Sequence, residues 1–204
     1  MPTLTMRQIR AIALAAVITL VTSATPTLAF DAAQSFARGT KIFSLQAGGG
    51  SQEFSRFNET TDITFFNITP RLSLIPLEPF GPSWLPSTLE TGLEAWLQQY
   101  VEPDDATACG LKVVVRYHLL GFDRVVPYLE VGAGAGGSDL EVLGHRSRFT
   151  FILEAGAGLT IMLTDHLGLT AGYRYQHLSN GGIEKPNRGY DAHTGTVGVS
   201  IFFP

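Results

Sequence analysis

Residues 149–161 read FTFILEAGAGLTI. Phe149, Phe151, Leu153, Ala155, Ala157, Leu159 and Ile161 occupy every second position, with Thr150, Glu154, Gly156, Gly158 and Thr160 between them. A period of two sends alternate side chains to opposite faces, which is the pattern of a β-strand. The run is long for one. An ordinary strand has about five or six residues, whereas a tilted strand crossing a bilayer needs about 9–11.

The same alternation recurs on both sides of this stretch. Thr88 to Gln98 places Leu89, Thr91, Leu93, Ala95 and Leu97 opposite Glu90, Gly92, Glu94, Trp96 and Gln98. Leu111 to Leu119 sets Leu111, Val113, Val115, Tyr117 and Leu119 against Lys112, Arg116 and His118. Eight such segments are predicted: roughly 39–48, 62–74, 87–99, 109–120, 125–136, 149–163, 166–177 and 190–203. Even number and length both suit an outer-membrane barrel. The links after the fourth and sixth segments are tight, GFDR and about TD. Those after the first, third, fifth and seventh are longer and polar: SQEFSRFNETTD, VEPDDATA, SDLEVLGHRS and SNGGIEKPNRG. Short periplasmic turns opposite longer outer loops are what such a barrel shows. PLEPFGPSWLP, after the second segment, is long and Pro-rich on the side that should be short.

The expected fold is therefore all-β: an eight-stranded, antiparallel, up-and-down transmembrane β-barrel. Periodicity alone does not say which face looks inward, and a soluble lipocalin-like barrel would bury the apolar one. The predicted polar face decides it. Glu90, Glu94, Glu130 and Glu154 stand there with Arg71, Lys112, Arg116 and Arg174, four acids against four bases. Buried charge is tolerable only when paired, and eight strands make a barrel just wide enough to be filled by its own side chains. A filled polar interior is expected, which disfavours a transport pore.

Composition agrees. Met1 to Ala29 reads as a secretory signal peptide: Arg7 and Arg10, an apolar Ala11–Val21, then small residues before a cut at Ala29/Phe30. Residues 30–204 form the barrel domain. Charged residues make up only 16%, net charge is −4, and Gly is abundant at 22. Without a basic run, nucleic acid is not an expected partner. The single Cys109 allows no disulfide framework. The five histidines, at 118, 145, 166, 177 and 193, show no metal-ligand spacing, so no metal and no cofactor are expected. The glycine run at 132–137 mimics a dinucleotide loop, but it has no helix after it and reads as strand packing.

The seventh segment carries the chemistry. Leu167, Leu169, Ala171, Tyr173 and Tyr175 share its apolar face, and the same parity carries His177 and Ser179 outward. Backward parity from Val197 to Phe203 puts Asp191 on the outer face of the eighth, and His193 with it as a rival for a site role. A serine hydroxyl is a weak nucleophile until an imidazole takes its proton, and a carboxylate behind the imidazole fixes its tautomer. Asn180 and the Gly181 N–H are candidate oxyanion donors.

The stretch HLSNGGIEKPNRGYD, His177 to Asp191, resembles the signature of the outer-membrane lipid A 3-O-deacylases, the PagL family. His177, Ser179, Asn180, Asn187, Gly189 and Asp191 carry the resemblance, with Asn187 and Gly189 expected to shape the loop. It implies metal-independent hydrolysis of the 3-O-linked acyl ester of lipid A, on the outside wall of a barrel in the bacterial outer membrane. His177 would be the general base, Ser179 the nucleophile and Asp191 the residue that orients His177. Lipopolysaccharide of the outer leaflet is the implied partner, with a homodimer as a further one to test. Two features depart from the pattern: Asp191 stands where the best-known member has Glu, and the chain ends in Phe202-Phe203-Pro204 rather than on an aromatic residue. The alternative is a non-enzymatic barrel for adhesion or envelope stability, in which these side chains merely line a polar rim.

Overall fold

The computed structural model describes residues 32–52, 62–141, 148–185, 187 and 189–204. The predicted signal peptide lies outside the described residues, as does His145. A helical turn α1 (Ala32–Ser35) precedes eight strands: β1 (Lys41–Gln52), β2 (Thr64–Leu74), β3 (Ser87–Glu102), β4 (Ala106–Leu119), β5 (Val125–Ser138), β6 (Phe149–Thr164), β7 (Leu167–Ser179) and β8 (Tyr190–Phe203). Each pairs antiparallel with the next, and β1 pairs with β8, so the sheet closes into a barrel. Closure leaves no unpaired strand edge, which is what hydrocarbon demands of a backbone. Among the described residues no helix is long and apolar enough to cross a membrane.

The apolar face is the outer one. Phe66, Leu72, Leu93, Val113, Leu129, Leu153 and Val197 are exposed, while the residues between them are buried. In water this wall would be an uninterrupted apolar patch far beyond what a soluble monomer shows; in lipid it is the expected surface.

The lumen is filled in three layers. At mid-height all eight predicted charges meet. Glu94 Oε1 accepts from Arg174 (2.8 Å) and lies 3.0 Å from Lys112 Nζ, and Glu94 Oε2 lies 3.4 Å from Arg71. Glu130 bridges Arg116 and Arg174, both at 2.7 Å, and Glu154 pairs with Lys112. His118 Nε2 lies 2.7 Å from Glu90, which also faces Arg71 at 3.2 Å. Toward the outer rim an apolar and aromatic layer includes Phe65, Trp96, Tyr100, Ile152, Leu178, Tyr190 and Ala192. At the opposite end Phe36, just after α1, closes the barrel against the rings of His118 and Phe202, at 4.8 and 5.0 Å.

One expected loop is a tight turn. VEPDDATA is mostly strand, because β3 runs to Glu102 and β4 begins at Ala106. Hydrophobic alternation stops where lipid ends, whereas backbone pairing goes on into the polar zone, so Tyr100 still pairs with Ala106. The same effect extends β1, β5 and β7 beyond their predicted ends.

Candidate active site

β7 and β8 form a hairpin whose outer end carries the residues predicted to do chemistry. His177 pairs with Asp191 across the two strands, and Leu178 with Tyr190. Directly opposed residues hold their Cβ atoms about 5 Å apart, a separation that an imidazole and a short carboxylate span. The result is a 2.7 Å hydrogen bond between His177 Nδ1 and Asp191 Oδ1. Both side chains face outward, 40% and 45% exposed. Their chain neighbours Gln176, Leu178, Tyr190 and Ala192 are buried in the lumen. Leu178 and Tyr190 therefore pin this rung from within: Tyr190 exchanges a 2.5 Å hydroxyl bond with Tyr100 and accepts from Gln98 at 3.1 Å.

Ser179 lies one rung beyond His177 on the same face and ends β7. Among the described residues its hydroxyl makes no hydrogen bond to the imidazole. Catalytic contacts are often open until substrate arrives. The adjacent wall is apolar: β6 sets Phe151 beside Ser179 and Leu153 beside His177.

The loop after Ser179 is organised by Asn180, which is fully buried. Its N–H donates to Asn187 Oδ1 (2.9 Å), its Nδ2 to the Glu184 carbonyl (2.9 Å), and its Oδ1 accepts from Gly182 N (2.9 Å). Its carbonyl accepts from Ile183 N at 3.3 Å. Asn180 thus has a structural task that the sequence did not reveal, and Asn187 holds it in place. Gly181 and Gly189 adopt the left-handed φ of 65° and 64° that glycine permits without strain. Gly189 also lies against the site. A Cβ there would stand 2.5 Å from the Leu178 carbonyl, 2.9 Å from Ser179 Cβ and 3.2 Å from His177 Cε1.

His193, the rival histidine, is one rung further from the loop, opposite Tyr175. It stacks on Tyr173 and meets Tyr175 edge-on, and its Nδ1 is bonded to the Tyr173 hydroxyl. His118 is lumenal, and His166 lies between β6 and β7. Among the described residues no group of His, Cys, Asp and Glu is arranged to hold a metal ion.

A closed eight-stranded barrel with an apolar exterior and a neutralised lumen defines a bacterial outer-membrane β-barrel. Residues 78–200 match the family described as lipid A 3-O-deacylase (PagL). That match spans more than half of the chain, and the protein belongs to this family of outer-membrane ester hydrolases. The barrel is similar to the crystal structure of the outer membrane enzyme PagL, with a TM-score of 0.55 and 20% identity over 77% of this chain and 97% of that one. It is also similar to Ail, the attachment invasion locus protein of Yersinia pestis (0.50, 17%, 81% and 99%). Neisserial surface protein A gives 0.50, 16%, 81% and 97%. At these identities the structural likeness concerns the fold. No curated protein sequence matches the chain.

Proposed function

We propose that the protein hydrolyses the 3-O-linked acyl ester of lipid A, with Ser179 as nucleophile, His177 as general base and Asp191 as the group that orients the imidazole. The observation that carries this reading is the His177–Asp191 bond at the outer end of a lipid-facing wall, with Ser179 on the next rung. With Nδ1 engaged by the carboxylate, Nε2 is the basic nitrogen left to take a proton.

In this reading Ser179 Oγ attacks the ester carbonyl and passes its proton to His177 Nε2. The tetrahedral oxyanion collapses, expelling the sugar oxygen, which takes that proton from Nε2. Water, deprotonated in turn by His177, then attacks the acyl-serine; the second tetrahedral intermediate expels Ser179 Oγ, which takes the proton back from Nε2, and frees the fatty acid. The Gly181 N–H is the chief candidate for stabilising the oxyanion, a contribution of about 2.7–4 kcal/mol where single donors have been removed elsewhere. Asn180 assists mainly by fixing Gly181, since its own N–H and carboxamide hold the loop.

The outward setting also accounts for access. Outer-leaflet lipid A can reach the wall sideways, so the ester never has to enter a lumen packed with ion pairs. All three side chains come from one hairpin, so a second copy of the chain is not needed to complete the site.

The test is mass spectrometry of lipid A treated with the purified, folded protein or with Ser179→Ala. Loss of one 3-O-linked acyl chain with the parent and its retention with the variant are expected. Undiminished release by folded Ser179→Ala would exclude the nucleophile, and unchanged lipid A with the parent would favour a non-enzymatic barrel.

A further inference from the structure

The link between β2 and β3, residues 75–86, lies at the end of the barrel where the other connections are short. It is a built hairpin. Phe80 and Ser87 exchange backbone hydrogen bonds of 2.8 Å each way, Leu85 N closes the tip onto the Pro82 carbonyl (2.9 Å), and Leu120 N donates to the Pro86 carbonyl (2.8 Å). Gly121, in the β4–β5 turn, leaves room for it: a Cβ there would come within 3.1 Å of both Leu85 Cδ1 and the Trp84 carbonyl.

The hairpin sequence, FGPSWLPS from Phe80 to Ser87, carries no charge. Trp84 at its tip is 77% exposed, and Leu77, Phe80 and Phe122 beside it are exposed too. This apolar patch is continuous with the lipid-facing wall, because the Phe80 ring lies 6.1 Å from that of Tyr117 on the outer face of β4. Height gives the second argument. The outer face of β7 runs from Leu167 to Ser179, with His177 one rung short of its end. At about 3.3 Å per residue and a tilt near 40°, the stretch from Leu167 to His177 rises about 25 Å along the barrel axis, the height of an apolar band. With the hydrolytic hairpin at the outer boundary, the end carrying the β2–β3 link falls at the inner one.

We propose that the Phe80–Ser87 hairpin is a membrane foot, with Trp84 and Phe80 seated among the headgroups and upper acyl chains of inner-leaflet phospholipid. Indole is favoured at that depth because its ring is apolar and its N–H can still find a polar partner. The foot fixes how deep the barrel sits, and with it the height of His177 and Ser179 in the opposite leaflet. The depth assigned to the foot rests on the hydrolytic reading, which sets the β7–β8 hairpin at the outer boundary; the lipid contact of Trp84 is read by quenching and not by hydrolysis, so the two can fail separately.

The chain has two tryptophans, and Trp96 is buried in the lumen. The difference in fluorescence between the parent and Trp84→Phe, both folded into phosphatidylcholine vesicles, therefore isolates Trp84. Vesicles made with lipid brominated near the headgroup should quench this difference signal several-fold more than lipid brominated near the chain ends. Iodide on both sides of the membrane should barely affect it. Strong iodide quenching without bromine quenching would overturn the proposal and leave the patch to a periplasmic protein. Stronger quenching from the chain ends would overturn it in favour of a hairpin lying against the hydrocarbon wall.

Discussion

His177 Nδ1 and Asp191 Oδ1 lie 2.7 Å apart because their residues are direct cross-strand partners on β7 and β8. An aspartate therefore reaches the imidazole without help from the loop. Asp191→Asn preserves shape and removes the charge that fixes the tautomer and stabilises the imidazolium. The expected loss in kcat is about 10⁴-fold, as for the equivalent change in a serine protease, with the heat-modifiable mobility of the folded barrel retained. Asp191→Glu must fold an extra methylene into a span that is already filled, and is expected to be no faster than the parent. Release of free fatty acid from lipid A in detergent micelles measures both.

Gly189 and Gly182 make a matched pair. Both have positive φ, 64° and 84°, so alanine at either costs about 1–2 kcal/mol of local backbone strain. They differ in what a methyl group would meet. At Gly182 there is nothing within 4 Å, whereas at Gly189 it would collide with the Leu178 carbonyl and crowd Ser179 Cβ and His177 Cε1. Gly189→Ala is expected to reduce kcat by at least 100-fold, and Gly182→Ala by less than tenfold, with both barrels folded. Equal effects would mean that strain in the loop, and not room beside the serine and histidine, is what the glycine supplies.

The sequence made the barrel legible because one physical signal, alternation between hydrocarbon and lumen, repeats eight times. The lumenal charges of Arg71, Glu94, Lys112 and Arg174 were readable in the same way, since the parity that sends Leu72 and Leu93 outward sends them inward. Strand ends were not readable, because Tyr100 and Ala106 still pair in the polar zone where alternation carries no information. For the site, parity placed His177 and Asp191 on the outer wall but could not supply their register, which depends on the link of residues 180–189, a stretch that shows no period. Asn180 was read as an oxyanion donor from its neighbours in sequence; its burial and its bonds to Glu184, Gly182 and Asn187 arise only when that link folds back. The Phe80–Ser87 hairpin looked like a misfit because its role depends on which leaflet it meets.

Glu94 lies at the centre of the lumen network, within 3.4 Å of Arg174, Lys112 and Arg71. Glu94→Gln keeps the volume but leaves three buried cations short of one negative charge. Removing one member of a buried pair typically costs about 3–5 kcal/mol, because the remaining charge has lost its solvent and gained no partner. The urea midpoint for unfolding from vesicles should fall accordingly. Ser44, which shares a 2.8 Å hydroxyl bond with Ser200 in the same lumen, gives the contrast. Ser44→Ala removes that neutral bond, worth about 1 kcal/mol, and a long 3.5 Å contact from Arg71, but no charge, so its midpoint should move less. Hydrolysis separates stability from chemistry here. In the proposed mechanism the reacting ester meets the outer wall while the network lies inside it, so Glu94→Gln assayed well below its midpoint should retain kcat within about threefold. A collapse of kcat in a protein still fully folded would show that the lumen charges act on the His177–Asp191 pair through the barrel wall, and would require a mechanism in which the interior does more than keep the barrel closed.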